Sequence, residues 1–193
     1  MIADCTAIIL AGGNSKRMGQ DKASLPFNGN TLLQNVIDKV QPLFAQTFIS
    51  VRRQRADILL PQIDDLQLDG GPLVGLISAL EAITTEWAFV VACDMPFVAP
   101  AVIEQLSSYR ASHQAVIPVV AEHAQPLAAF YARSCLSVLR QSLAMGNKSL
   151  IVAMNALDVC YVAEEELLKF DPQLQCFFDL DTPQDVALAK GMK

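Results

Sequence analysis

The sequence predicts an α/β fold of three layers, with a doubly wound, mostly parallel sheet between two sets of helices. Three observations lead there. Apolar runs of strand length alternate with amphipathic runs of helix length. The run from Trp87 to Ala92, WAFVVA, is almost wholly apolar, as a central strand covered on both faces requires. The first apolar run, Ala7-Ile8-Ile9-Leu10, leads into a sharp turn at the glycine pair Gly12-Gly13.

The stretch that follows the first strand, residues 10–22 (LAGGNSKRMGQDK), carries the strongest chemical signal. Paired glycines let backbone N–H groups approach a ligand closely. Arg17 and Lys22 can neutralise the charge of a polyphosphate whose oxygens those amides cradle. The stretch is not a Walker A loop, since Gly19 is followed by Gln20-Asp21-Lys22 and not by Lys and Ser or Thr. It is not GxGxxG either, because its glycines are adjacent.

Thr31-Leu32-Leu33-Gln34 reads as a capping box, and Leu33, Val36, Ile37, Val40 and Leu43 form a helical stripe that Pro42 ends. Residues 48–51 read as a second strand, and Arg52, Arg53 and Arg55 follow its C-terminal end, the ligand side of an open α/β sheet. They suit a phosphate site or a solvated basic loop equally. Asp69-Gly70-Gly71-Pro72 should turn into a helix that runs to about Ile83. Asp94 ends the strand from Trp87, and an ionised carboxylate there needs a partner; Mg²⁺ is the natural one. A helix is expected over 100–109, strands over 115–120 and 125–131 with Glu122-His123 as a loop tip, and a helix over 134–145 closed by Gly146. Asn147-Lys148-Ser149 should open another helix, with Lys148 a candidate phosphate contact. Thr182, Pro183 and Asp185 read as N-cap, N1 and N3 of a last helix.

One domain, residues 1–193, is expected at this length. The net charge of −6 argues against nucleic acid as a partner, but residues 1–55 carry +4 and the rest −10, a local basic zone suited to a compact anion. No apolar run is long enough to cross a membrane and no secretory signal is visible, so no membrane partner is expected. Five scattered cysteines without a CxxC pair argue for reduced thiols in the cytoplasm.

Residues 10–22 resemble the N-terminal motif of the MobA-type nucleotidyltransferases, the molybdenum cofactor guanylyltransferases, whose pattern is roughly LAGGxSxRMGxDK. Every fixed letter is present, followed by Leu25-Pro26-Phe27-Asn28-Gly29. Weaker similarity continues along the chain. Residues 71–75, GPLVG, resemble the segment that lines the family's base pocket, and Asp64 or Asp65 stands where an acid usually precedes it. Residues 93–96, CDMP, resemble the metal-binding motif, and the Gln-Pro-Leu…Tyr run of 125–131 resembles a segment near the acceptor. The ending resembles NxNTPEDL, with Asp179 and Asp181 in place of both asparagines.

The resemblance implies the nucleotidyltransferase variant of the Rossmann-type doubly wound fold, with nucleotide bound by the N-terminal half and acceptor by the C-terminal half. It implies transfer of GMP from GTP to molybdenum-bound molybdopterin, with pyrophosphate leaving and Mg²⁺ as cofactor. The implied catalytic residues are Lys22, Arg17 and Asp94, with Asp94 the metal ligand. The implied nucleotide contacts are Leu10, Ala11, Gly12, Gly13, Lys22, Arg53, Asp64, Gly71, Gly75 and Asp94; Lys148, Asp179 and Asp181 are left for the acceptor. Asp179 or Asp181 could equally hold a metal or serve only the turn. An acceptor phosphate is already ionised and needs no general base, in keeping with His113 and His123 standing apart from the motifs. A monomer is expected, in transient contact with molybdenum cofactor biosynthesis proteins and recipient molybdoenzymes. Related cytidylyltransferases typically carry LAAG where this chain has LAGG, so a Cβ at Gly12 is expected to project beside the base and GTP to be preferred over CTP. A cytidylyltransferase, a sugar-phosphate nucleotidyltransferase and a non-catalytic nucleotide-binding regulator are the alternatives.

Overall fold

The computed structural model describes residues 1–12, 21–66 and 71–192. Its strands are β1 (Cys5–Leu10), β2 (Pro26–Phe27), β3 (Asn30–Thr31), β4 (Gln46–Val51), β5 (Gln62–Asp64), β6 (Trp87–Ala92), β7 (Ala115–Val120), β8 (His123–Ala124), β9 (Ala128–Ala132) and β10 (Val159–Val162). Its α-helices are α1 (Leu32–Val40), α2 (Gly71–Ala82), α3 (Pro100–Ser107), α4 (Leu136–Ala144), α5 (Leu150–Met154), α6 (Glu164–Leu167) and α7 (Pro183–Ala189). The main sheet has the order β10-β7-β9-β6-β1-β4-β5, with β8 paired to β7. β1 lies between β6 and β4, parallel to both; β4–β5 and β7–β10 are also parallel. β9 runs antiparallel between β6 and β7. This is the expected mostly parallel α/β sheet, with the C-terminal ends of β1, β4, β5 and β6 along one edge.

The central strands are apolar because both their faces are covered. Alternation along each strand divides the core. Ala7, Ile9, Phe89 and Val91 pack on one face with Val36 and Val40 of α1 and Val102 and Leu106 of α3. Ile8, Ala88 and Val90 pack on the other with Leu73, Leu76, Ile77 and Leu80 of α2 and Leu139 of α4. A third, smaller cluster joins Leu25, Phe27 and Leu32 near the β2–β3 hairpin to Leu180 and Ala189 at either end of α7. Among the described residues no helix is long and apolar enough to cross a membrane.

Two local expectations change. The box at Thr31 is half formed: its hydroxyl accepts the Gln34 N–H at 3.1 Å, but the Gln34 amide turns outward to Asp38 at 2.7 Å. The strand expected from Gln125 begins at Ala128. Residues 125–128 form a turn, closed by the Ala128 N–H on the Gln125 carbonyl at 3.2 Å, and Pro126 has no N–H for a ladder. The tip expected at Glu122-His123 moves back by one residue. Ala121 and Glu122 take positive φ of 48° and 63°, and His123 pairs with Val120.

At α7 the cap is complete. Thr182 Oγ1 accepts the Asp185 N–H at 3.2 Å, and Asp185 Oδ2 accepts the Thr182 N–H at 2.7 Å and the Asp181 N–H at 3.1 Å. The cap therefore also orients Asp181. Thr182→Ala is expected to cost about 1 kcal/mol, a fall in Tm of roughly 2–4 °C for a chain of this size, read by thermal denaturation.

Candidate active site

A cleft of about 690 Å³ opens at the C-terminal edge of the sheet. It is built where the loops after β1, β4, β5 and β6 meet the segment before α7. Backbone bonds beyond the strands fix these loops against one another. The Ala11 N–H donates to the Ser50 carbonyl at 2.8 Å, Cys93 N–H to Leu10 at 3.1 Å, and Asp65 N–H to Val51 at 2.9 Å. The Leu180 N–H donates to the Asp94 carbonyl at 2.9 Å, which ties the last segment to the tip of β6. A hollow of about 740 Å³ at the opposite end of the sheet, bounded by Arg110 and Trp87, lies away from every motif residue.

One end of the cleft is acidic and contains Lys22. The Lys22 ammonium donates to Asp94 Oδ2 at 2.6 Å and to Asp181 Oδ1 at 2.5 Å. The side chains of Lys22 and Asp94 are 15% and 16% exposed, so this is a largely desolvated bridge. Burial pulls the proton affinity of Lys22 down, but its bonds to Asp181 and Asp94 outweigh that and hold it above the ordinary lysine range. Asp179 also lines this end. Burial, then the charges of Asp181 and Asp94, raise its pKa.

The other end is walled by two glycines and an acid. A Cβ on Gly75 would stand 3.3 Å from both Leu10 Cδ2 and Ser50 Oγ. A Cβ on Gly12 would stand 3.0 Å from Asp65 Oδ2 and 3.3 Å from Arg52 Cγ. The Gly12 Cβ therefore points at Asp65 and Arg52, and a methyl there would press on both. Gly71 also lines the cleft and takes φ of +63°, a conformation that favours glycine where the chain enters α2. Asp65 Oδ1 accepts the Ser50 hydroxyl at 2.9 Å. Burial raises the pKa of Asp65 despite the Ser50 bond and the nearby Arg52 charge.

The structure thus brings Leu10, Ala11, Gly12, Lys22, Gly71, Gly75, Asp94, Asp179 and Asp181 into one cleft. Arg17 and Gly13 lie outside the described residues. Three expectations are corrected. Asp64 is exposed at the end of β5, where the Gln54 amide reaches it at 3.5 Å; Asp65 takes the cleft position. Arg53 is exposed, and Arg52 lines the cleft. Lys148 is exposed in the turn between α4 and α5 and lines no part of the cleft. Strand parity accounts for the first two: Ser50 and Arg52 share a face, as do Ile63 and Asp65, and that is the face α2 covers. Ser50 and Phe177 are further lining residues; Ser50 was discoverable by that parity, whereas no motif marks Phe177.

A family model described as the MobA-like NTP transferase domain matches residues 7–158. The molybdenum cofactor guanylyltransferase of Desulfosudis oleivorans is 32% identical over 96% of this chain and 94% of its own length. The crystal structure of molybdopterin-guanine dinucleotide biosynthesis protein A from Archaeoglobus fulgidus superposes with a TM-score of 0.87 and 31% identity, covering 97% of each chain. The 2-C-methyl-D-erythritol 4-phosphate cytidylyltransferase of Thermus thermophilus shares the fold alone, with a TM-score of 0.69 and 14% identity over 96% of both chains.

The raised pKa of Asp65 makes a prediction about stability. Its carboxylate is desolvated in the folded chain, so stability is lost as pH rises through the aspartate range. Asp65→Asn is expected to raise Tm at pH 7, and the gain to vanish below about pH 4, where both states protonate the acid. Thermal melts across pH check this; an equal difference at every pH would contradict it.

Proposed function

Because the chain belongs to the MobA-like NTP transferase family, we propose that it is a molybdenum cofactor guanylyltransferase. It would transfer GMP from GTP to molybdenum-bound molybdopterin and release pyrophosphate. The observation that carries this reading is Lys22, held between Asp94 and Asp181 beside a glycine-walled pocket that ends in Asp65.

The pocket suits guanine on chemical grounds. Guanine presents adjacent ring N–H and amino donors, which one carboxylate can accept together. The corresponding edge of cytosine places an acceptor nitrogen beside its amino group, and a carboxylate opposite would repel it. Asp65, with Ser50 orienting one oxygen, is the candidate for that contact. Gly12 and Gly75 leave the space its carboxylate occupies.

At the other end the triphosphate would draw the Lys22 ammonium away from its carboxylates, and Lys22 would neutralise charge at the α-phosphate. An oxygen of the acceptor phosphate attacks the α-phosphorus. A new P–O bond forms, the bond to the bridging α–β oxygen breaks, and pyrophosphate leaves with that electron pair. The attacking phosphate has no proton to lose, so alignment and charge stabilisation are what the site must provide. Asp179, Gln125 and Phe177 line the side of the cleft we assign to the acceptor.

Asp94 and Asp181 suit Mg²⁺. They are two carboxylates already converged on one cation, and magnesium takes one or two carboxylates together with substrate phosphates. Its other positions would be taken by phosphate and water. When bound, the ion would supply charge neutralisation of the triphosphate. The five cysteines are unpaired, as suits a reducing compartment. We extend the proposal to a cytoplasmic monomer that meets other cofactor-synthesis proteins and recipient molybdoenzymes transiently.

Two measurements test this reading. Pyrophosphate release with molybdopterin, Mg²⁺ and either GTP or CTP should show GTP preferred. Gly12→Ala should lower kcat/KM for GTP more than for CTP by displacing Asp65, at an overpacking cost of about 1–3 kcal/mol. A wild type that prefers CTP would overturn the assignment. Asp94→Asn should fold normally and lose roughly 10²-fold or more in turnover across a Mg²⁺ titration; turnover near wild type at all metal concentrations would refute its role.

A further inference from the structure

A second charged cluster lies behind the Lys22 segment and is built around Arg55; its Asp21 also lines the cleft, while Arg55, Asp57 and Ser24 do not. Arg55 follows β4 and is tied to β5. Its N–H donates to Gln62 Oε1 at 2.8 Å, and Gln62 Nε2 returns a bond to the Arg55 carbonyl at 2.8 Å. Its guanidinium then reaches across to the residues on both sides of Lys22. Nη1 donates to Asp21 Oδ2, and Nη2 donates to Ser24 Oγ at 2.6 Å. Nη2 and Nε hold Asp57 at 2.6 and 3.1 Å. Asp21 closes the small turn itself, accepting the Ala23 N–H at 3.2 Å and the Ser24 hydroxyl at 3.0 Å.

We propose that Arg55 is a positioning residue that clamps residues 21–24, so that Lys22 Nζ is delivered to Asp94 and Asp181 and, during turnover, to the α-phosphate. This rests on the role of Lys22 given above. A lysine side chain has several rotatable bonds, and its tip is placed only as well as its backbone is held. A planar guanidinium with fixed donor directions is suited to holding two oxygens at once, and a lysine at position 55 would not reproduce that fork. Asp21, next to the lysine in the Asp-Lys pair of the motif, acquires a physical function here as the anchor that Arg55 grips. Arg55 lies on the same loop as the cleft residue Arg52.

The test compares the wild type with Arg55→Ala, Arg55→Lys, Asp21→Ala, the Asp21→Ala/Arg55→Ala double variant and Asp57→Asn. Two readouts are used: guanylyl transfer, and amide hydrogen exchange over residues 21–25 without nucleotide. Both Arg55 variants should lose about tenfold or more in kcat with a smaller change in KM for GTP, because a misplaced catalytic group costs rate before affinity. Exchange over 21–25 should speed up in Arg55→Ala while Tm stays within a few degrees. The double variant should lose no more than the worse single variant, since both remove one clamp. Asp57→Asn keeps an acceptor for Arg55 away from Lys22 and should stay within about twofold of wild type. Unchanged exchange over 21–25, multiplicative losses in the double variant, or a rise in KM alone would overturn the clamp. A wild type without pyrophosphate release would instead overturn the functional reading, and the exchange result would still decide the clamp.

Discussion

An ammonium shared by two carboxylates holds the working end of this molecule together. Lys22, Asp94 and Asp181 come from the loop after β1, the tip of β6 and the segment before α7. Lys22 and Asp94 are largely desolvated, and their pairing offsets part of the hydration each gives up. Asp179 is drawn into the same field, and its raised pKa records both burial and an excess of negative charge around it. On the proposed reading a triphosphate would meet such a field favourably only in the company of a cation, and the lysine and a divalent ion together would reconcile the acidic wall with an anionic substrate.

The sheet makes that meeting possible. With β1 between β4 and β6 and all three parallel, their outgoing loops leave from one edge and touch at once. Gly12 and Gly75 on this edge serve space more than flexibility: a single methyl there would press on Asp65, Arg52, Ser50 or Leu10. On the proposed reading, recognition of a flat base and handling of a triphosphate would be separate tasks, divided between the two ends of one cleft.

Much of this was legible in the residues, and the misreadings have definite causes. The apolar runs at 87–92 and 115–120 matched β6 and β7 residue for residue, since fully buried strands leave little choice of composition. The motif after β1 and the Asp after β6 pointed to the cleft. The choices of Asp64 over Asp65 and of Arg53 over Arg52 failed because residue type was weighed without strand parity; one step along a strand reverses the face. The segment 125–127 looked like strand because it is mostly apolar, and the missing amide of Pro126 decides otherwise. The pairing of Lys22 with Asp181 spans 159 residues, and no local pattern could reveal it. Lys148 was chosen for its charge alone, and charge alone does not locate a side chain.

The small cluster that seats α7 against the hairpin bears on how the protein comes into being. Leu25, Phe27 and Leu32 are made early and wait for Leu180 and Ala189, which are made late. On a ribosome the sheet from β1 to β10 can assemble before those partners emerge, because domains form as their sequence becomes available. Until then Lys22 has Asp94 but not Asp181, and the third apolar cluster has only one side. A chain whose sheet formed before α7 was in place would show an apolar patch near the hairpin and would lack one carboxylate of the Lys22 cluster. The segment that brings Asp181 to Lys22 is also the one that brings Leu180 over this patch.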